Sequence, residues 1–194
     1  MPEATRQAFD EEGFLRSGDA VAWIDPADPA RGLRFDGRTA EDFKLASGTF
    51  VSVGPLRARL LAACAPYVQD AVICGLNRDD VGALIVPTPA LRRLTGASDN
   101  EPLGSLVGHP AVRAHFEQLL ARLAGESSGS AGRIVRLAFL TEPLSLDAGE
   151  ITDKGSLNQN AILTRHKAMV DALHDGTLPG AIILTDSAPG PVGR

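Results

Sequence analysis

GRTAEDFKLASGTFVSVGPLRARL, residues 37–60, is the passage on which the fold turns. It opens on Gly37-Arg38 and carries charge through Glu41, Asp42 and Lys44. From Phe43 its character changes. Phe43 to Val53 reads as extended segments around Gly48, and Pro55 then opens a helix whose apolar positions are Leu56, Leu60, Leu61 and Cys64. A polar, glycine-marked connector followed by strand, turn and helix predicts entry into a new folded unit.

Downstream, Val68 to Cys74 and Val81 to Val86 are β-rich runs separated by a polar turn at residues 75–80, a hairpin pattern, and Pro87 and Pro89 end the second run. The strongest helix is predicted from Pro110 to about Ala124, where Val112, Phe116, Leu119, Leu120 and Leu123 recur at helical spacing and Gly125 closes the segment. Residues 125–132 read as a loop, Arg133 to Leu140 as a strand, and Ser156 as the cap of one final helix with Leu157, Ala161, Ile162, Met169, Val170 and Leu173 on its apolar side. From Ser187 the tail is expected to be disordered.

Upstream, residues 3–12 read as a short helix or turn, and Phe14-Leu15-Arg16 and Ala20 to Ile24 as two short strands about Ser17-Gly18-Asp19, with Leu33-Arg34-Phe35 as a returning strand. Such a unit buries too little to stand alone and requires a partner, so the chain reads as cut from a larger one. The fold class is α+β: a small mixed sheet with flanking helices, preceded by a β-hairpin-like fragment.

Composition sets outer bounds. The 194 residues hold one domain and a fragment, with 44% hydrophobic and 22% charged residues. A formal charge of -5 without a basic cluster argues against nucleic acid as a partner. The polar, acidic amino terminus is no secretory or transit signal and no apolar run has the length of a membrane span, so the expected location is cytoplasmic. Cys64 and Cys74 have neither zinc nor disulfide-framework spacing and read as buried core thiols; no metal site is expected. Of the 19 basic residues, only Lys44, Lys154 and Lys167 are lysines.

Three local features suit a phosphorylated ligand. Asp19 offers a carboxylate beside a glycine, suited to accept from ribose hydroxyls. Arg38 is a rigid cationic donor for ribose or phosphate oxygens, and Gly48 allows backbone to approach a ligand. Lys154 lies in DAGEITDKGS, residues 147–156, just ahead of the expected helix start, where its ammonium and free backbone N–H groups could converge on an anion. Taken singly, these are equally a surface turn, a connector and an exposed loop lysine.

The order SGD, then GR, then FK with a glycine, then a late lysine resembles the carboxy-terminal portion of adenylate-forming acyl-CoA synthetases, of the AMP-dependent synthetase/ligase superfamily. Residues 37–60, VQDAVICGLNRDDVGALIVP (residues 68–87) and DAGEITDKGSLNQNAIL (residues 147–163) are most similar to its feruloyl-CoA synthase branch. The resemblance implies that residues 1–37 are the tail of an N-terminal adenylation domain, 38–42 a hinge, 43–186 a C-terminal lid domain and 187–194 a tail.

It further implies ribose or phosphate contacts for Asp19 and Arg38, a thioester-side segment at Lys44 and Gly48, and an adenylation lysine at Lys154. Ala40 stands where the hinge usually carries a charged residue. Phe50 stands where relatives carry a polar one and is given no catalytic role. The glycine–lysine order is altered to Asp153-Lys154-Gly155. ATP or AMP and coenzyme A follow as cofactors, with Mg2+ held by the N-terminal domain, which is the partner together with a carboxylic acid, aromatic by branch resemblance.

Neither the phosphate loop nor the adenine-binding motif of the family occurs in the chain, so it is expected to be inactive alone. The alternatives are the lid of a long-chain fatty acyl-CoA synthetase or a stand-alone α+β interaction module. Arg57, Arg59, Arg92, Arg93, Arg133 and Arg136 are candidates for coenzyme A contacts. His109, His115, His166 and His174 show no partner pattern and receive no role.

Overall fold

The computed structural model describes residues 2–184, so the expected tail from Ser187 and the last two residues assigned to the lid lie outside the described residues. A short helix, α1 (Pro2–Gln7), leads to a two-stranded antiparallel ribbon of β1 (Asp19–Trp23) and β2 (Leu33–Arg38). Phe14-Leu15-Arg16 is not a strand. The Asp10 carboxylate accepts from the Glu12 and Phe14 amides at 3.0 and 2.8 Å, which curls this stretch into a turn and leaves only an isolated bridge between Phe9 and Leu15.

After a turn, β3 (Phe43–Lys44) and β4 (Phe50–Val51) form a second small hairpin, and α2 (Val53–Cys64) follows directly. The helix begins before Pro55 because the Asp42 carboxylate accepts from Val53 N at 2.8 Å, supplying a cap from outside the helix. Leu56, Leu60 and Cys64 are buried on it as expected, with Val53, while Leu61 is half-buried.

The main sheet has the order β5-β6-β7-β8, with β5 (Val68–Cys74) antiparallel to β6 (Val81–Pro87). Between β6 and the next strand come α3 (Arg92–Thr95), α4 (Leu103–Leu106) and α5 (Pro110–Gly125), a crossover long enough to bring β7 (Ile134–Phe139) back parallel to β6. The last helical stretch is split into α6 (Gln159–Arg165) and α7 (Lys167–His174), and β8 (Ile182–Ile183) closes the sheet antiparallel to β7.

Both faces of the sheet are covered, so its strands are apolar on both sides. Ala71, Ile73, Ala83, Ile85, Leu137 and Phe139 face α2 and α5, and Val72, Cys74, Leu84 and Ala138 face α6 and α7. Val112, Phe116, Leu119, Leu120 and Leu123 of α5 are all buried, and each such side chain contributes about 1.5–3 kcal/mol. Phe116 meets Phe139 edge-on at 5.1 Å between ring centroids. Among the described residues no helix is long and apolar enough to cross a membrane.

The ribbon joins this body through a pair of glycines. A Cβ on Gly54 would lie 2.4 Å from the Asp36 carbonyl oxygen and 2.6 Å from Gly37 Cα, so the start of α2 seats directly on the β2 backbone. Gly37 itself has φ +115°, a conformation that side chains rarely adopt.

Candidate functional site

Asp19 and Arg38 lie directly opposite each other in the β1–β2 ladder. Residues paired in this way project from the same face with Cβ atoms about 4.5–5.5 Å apart. A carboxylate and a guanidinium are thus presented side by side, both exposed. The backbone just before Asp19 is fastened, since Gly18 O accepts from Thr39 N at 2.9 Å and from Thr39 Oγ1 at 3.0 Å. The expected tight turn between two strands at Ser17-Gly18-Asp19 is not formed: residues 16–18 are irregular, no strand precedes them, and Asp19 opens β1, with Thr39 just beyond β2 fastening Gly18.

From Arg38 the chain runs along a groove of about 770 Å3. One wall is β2 and the following turn, with Arg34, Asp36, Arg38, Ala40 and Glu41; the floor is α2, with Gly54 and Arg57; the opposite wall is Thr152 and residues 155–158. The groove thus brings the Arg38 end of the ribbon to the turn that carries Lys154. Across this region Gln159 Nε2 donates to Glu41 at 2.9 Å, while Gln159 Oε1 accepts from Ile73 N at 3.0 Å, tying the connector to the sheet through a buried amide.

Lys154 is exposed near the tip of a turn closed by a bridge between Ile151 and Leu157. Thr152 N donates to Ser156 O at 2.9 Å, and Gly155 N to Thr152 O at 2.8 Å. Ser156 does not cap the helix. Asn158 does, its side-chain oxygen accepting from Ala161 N at 3.2 Å. Leu157 packs into the core between the sheet and α6–α7 before the helix can begin, which moves the helix start away from the lysine. The expected convergence of the Lys154 ammonium with the helix N–H groups is therefore not formed at Ser156.

Of the expected site residues only Arg38 lines the groove; Asp19 and Lys154 stand on elements at its border, and Lys44 and Gly48 lie on the separate β3–β4 hairpin. Lys44 is exposed on β3 opposite Phe50, and Gly48 sits with φ +82° in the turn of that hairpin, with open space where a Cβ would be. The hairpin is fastened to the β5–β6 turn: Asn77 N donates to Lys44 O at 3.0 Å and Ala46 N to Arg78 O at 2.8 Å.

Several arginines considered for a nucleotide are already engaged within the chain. Arg57 pairs with Asp70, Arg136 holds Asp80 at 2.7 Å, Arg59 reaches Ser127 and the Gly132 carbonyl, and Arg92 donates to the Ser98 and Glu101 carbonyls. Arg93 is exposed.

Two clusters escaped the reading of the sequence. Glu150 is fully buried, and its carboxylate accepts from Ser145 N at 2.8 Å, Arg165 Nη1 at 2.6 Å and His166 Nε2 at 2.8 Å. Burial opposes its charge, but the Ser145 amide, His166 and Arg165 outweigh it and hold the carboxyl below its ordinary value. His174 Nδ1 lies 3.2 Å from Asp80 and its Nε2 3.7 Å from Cys74 Sγ. Burial, and then the Asp80 charge, push the Cys74 thiol up to about 12, so this cysteine–histidine–aspartate row holds a protonated, inaccessible thiol rather than a nucleophile. The sequence offers little hint of the first cluster, since Glu150 is one of three acids in its loop with Asp147 and Asp153, and no local pattern points to Arg165 and His166.

Comparison with known proteins bears on the ribbon, the groove and the turn together. Residues 43–177 match the family described as AMP-binding enzyme C-terminal domain. The chain is 28% identical over 175 residues to a carboxylic acid reductase of Segniliparus rugosus, covering 89% of this chain and 13% of that protein. It is 24% identical over 181 residues to the long-chain-fatty-acid–[acyl-carrier-protein] ligase AEE15 of Arabidopsis thaliana, covering 89% of this chain and 23% of that protein. In structure it is similar to the A domain of the Segniliparus rugosus reductase solved with AMP and a co-purified carboxylic acid, at a TM-score of 0.67 and 25% identity, covering 90% of this chain and 25% of that one. The chain thus spans at most a quarter of the length of these relatives.

Proposed function

Because the chain belongs to the family of AMP-binding enzyme C-terminal domains, we propose that it is the lid and hinge portion of an ATP-dependent carboxylate–CoA ligase. The reaction assigned to the assembled enzyme is activation of a carboxylic acid with ATP to an acyl-adenylate and pyrophosphate, followed by transfer of the acyl group to the thiol of coenzyme A with release of AMP. Residues 1–37 are then the end of the adenylation domain, 38–42 the hinge and residues from 43 the lid. A hydroxycinnamic acid of the feruloyl type is the proposed substrate, and its support is the wording of residues 37–60, 68–87 and 147–163.

The observation that carries this reading is the opposition of Asp19 and Arg38 across one ladder, with the Lys154 turn on the far side of the adjoining groove. Asp19 is assigned to the ribose hydroxyls and Arg38 to a ribose or phosphate oxygen. Lys154 is assigned to the carboxylate and α-phosphate oxygens, where a cation stabilises the charge that develops on adenylation. Lys44 and Gly48, held apart on their own hairpin, are assigned to the second half-reaction, with the hinge turning the lid between the two. Mg2+ would be bound by the adenylation domain, which supplies the acid pocket and the rest of the ATP site.

The partner surface is the exposed face of the ribbon. Val21 pairs with Phe35 and Trp23 with Leu33, and these side chains are 49 to 65% exposed, an apolar patch suited to packing on another domain. The kinship with a long-chain-fatty-acid ligase supports a second reading in which the acid is a fatty acid.

The test has two arms. The chain alone, given ATP, Mg2+, coenzyme A and ferulate, is expected to form no acyl-CoA, and robust turnover would sink the proposal. Joined to its adenylation domain, it should catalyse pyrophosphate exchange, and Lys154→Ala should lower that exchange by about 100-fold or more. Undiminished exchange in the variant would remove Lys154 from its assigned role, and a preference for palmitate over ferulate would favour the second reading.

A further inference from the structure

Glu150 is a charged side chain with no exposed surface in a loop whose neighbours, Asp147 to Gly149 and Thr152 to Ser156, are all exposed. An unpaired charge there would be strongly destabilising, so its placement depends on its partners. Those partners come from two segments, Ser145 at the start of the loop and Arg165 and His166 at the end of α6. Oε2 takes Ser145 N and Arg165, and Oε1 takes His166. Its backbone closes the same loop, with Glu150 N donating to Ser145 O at 3.0 Å and Asn158 N donating to Glu150 O at 2.9 Å. One residue thereby binds the start of the loop, the cap of α6 and the junction between α6 and α7.

What stands free beyond this clamp is the short stalk from Ile151 to Leu157 with Lys154 near its tip. Among the described residues no hydrogen bond or ion pair holds the Lys154 side chain, so its direction is set by the stalk, and the stalk by Glu150. We propose that Glu150 is a positioning residue for acyl-adenylate formation, fixing the turn from which Lys154 reaches the reacting carboxylate and phosphate. This rests on the role assigned to Lys154 above. Because a carboxylate only accepts, all its donors are satisfied at once; a carboxamide would turn an N–H toward either His166 or the Ser145–Arg165 pair.

Two substitutions test it in the enzyme joined to its adenylation domain. Glu150→Gln should lower kcat for pyrophosphate exchange by roughly 10- to 100-fold, the usual effect of a small misplacement, with KM for ATP and acid nearly unchanged. Transfer from a supplied acyl-adenylate to coenzyme A should stay within about twofold, since that half-reaction does not use Lys154. Arg165→Met removes one partner that is 44% exposed, so it keeps the fold while producing a smaller loss in the same half-reaction. In the 194-residue chain alone, Glu150→Gln should speed hydrogen exchange at the Thr152 and Gly155 amides and leave α5 protected. Equal losses in both half-reactions, or faster exchange throughout the chain, would overturn the proposal. If Lys154→Ala depresses pyrophosphate exchange and Glu150→Gln does not, Glu150 alone loses its role. If Lys154→Ala is silent, both assignments fall.

Discussion

The His174 side chain is buried against the sheet, and three charged groups act on it. Burial lowers its affinity for a proton, Asp80 opposes that shift, and Arg136 and Arg78 reinforce it, leaving its pKa below the ordinary 6.5. Asp80 is itself held by Arg136, so it has little charge to spare for an imidazolium. The sign follows directly: the unfolded chain binds a proton that folded His174 refuses, so stability falls as pH drops through 6.5 toward the folded value. His115, lowered by burial and then by Arg122, acts in the same window. Glu150, with a folded value below 4.5, removes further stability only in stronger acid. The urea midpoint is expected to decline from pH 7.5 to pH 5.5, and to decline less in His174→Gln; an unchanged slope would place the proton elsewhere.

Among the elements, α2 is seated where the absence of a side chain matters most directly, backbone against backbone. Gly54→Ala would drive a Cβ into the Asp36 carbonyl and Gly37, both backbone, which cannot turn aside. Overpacking of this kind costs about 1–3 kcal/mol and should be relieved by lifting the ribbon from α2. Trypsin cleavage after Arg38 is therefore expected to accelerate by about tenfold or more while thermal unfolding of the body from residue 43 onward moves little. Equal cleavage rates would mean that the ribbon is held by other contacts.

The elements differ in how far the sequence discloses them. Helix α5 and the β5–β6 hairpin were legible because apolar spacing and a polar turn are local signals. The parallel pairing of β6 with β7 was not, because both faces of these strands are apolar and no alternation points to a partner. The break between α6 and α7 was also hidden, since Arg165 and His166 answer to Glu150 in a separate loop. The sequence reading placed no strand after Leu173, whereas β8 adds Ile182 and Ile183 to the sheet edge.

For the molecule as a whole, the ribbon is a probe of assembly because Trp23 is the only tryptophan in the chain and is 49% exposed. Docking of an adenylation domain on that face should shift its emission to shorter wavelength and shield it from iodide, and Trp23→Ala should weaken the association. Emission indifferent to the added domain would remove the ribbon from the interface. The candidate site was legible in part. Asp19 and Arg38 were named from separate motifs, and only the ladder register shows that they face outward together. The separation of Lys44 and Gly48 from the groove arises from contacts with the β5–β6 turn, which no spacing along residues 37–60 encodes.

The paired glycines also bear on recombination. A chimera spliced within residues 38–42 would draw position 37 from one parent and position 54 from the other, although the two backbones are fitted to each other here. A donor with any side chain at position 37 would meet α2 at 2.9 Å and would also be forced into φ +115°. The exchangeable unit therefore extends at least one residue upstream of the connector, and crossovers that respect it should retain the seat of α2.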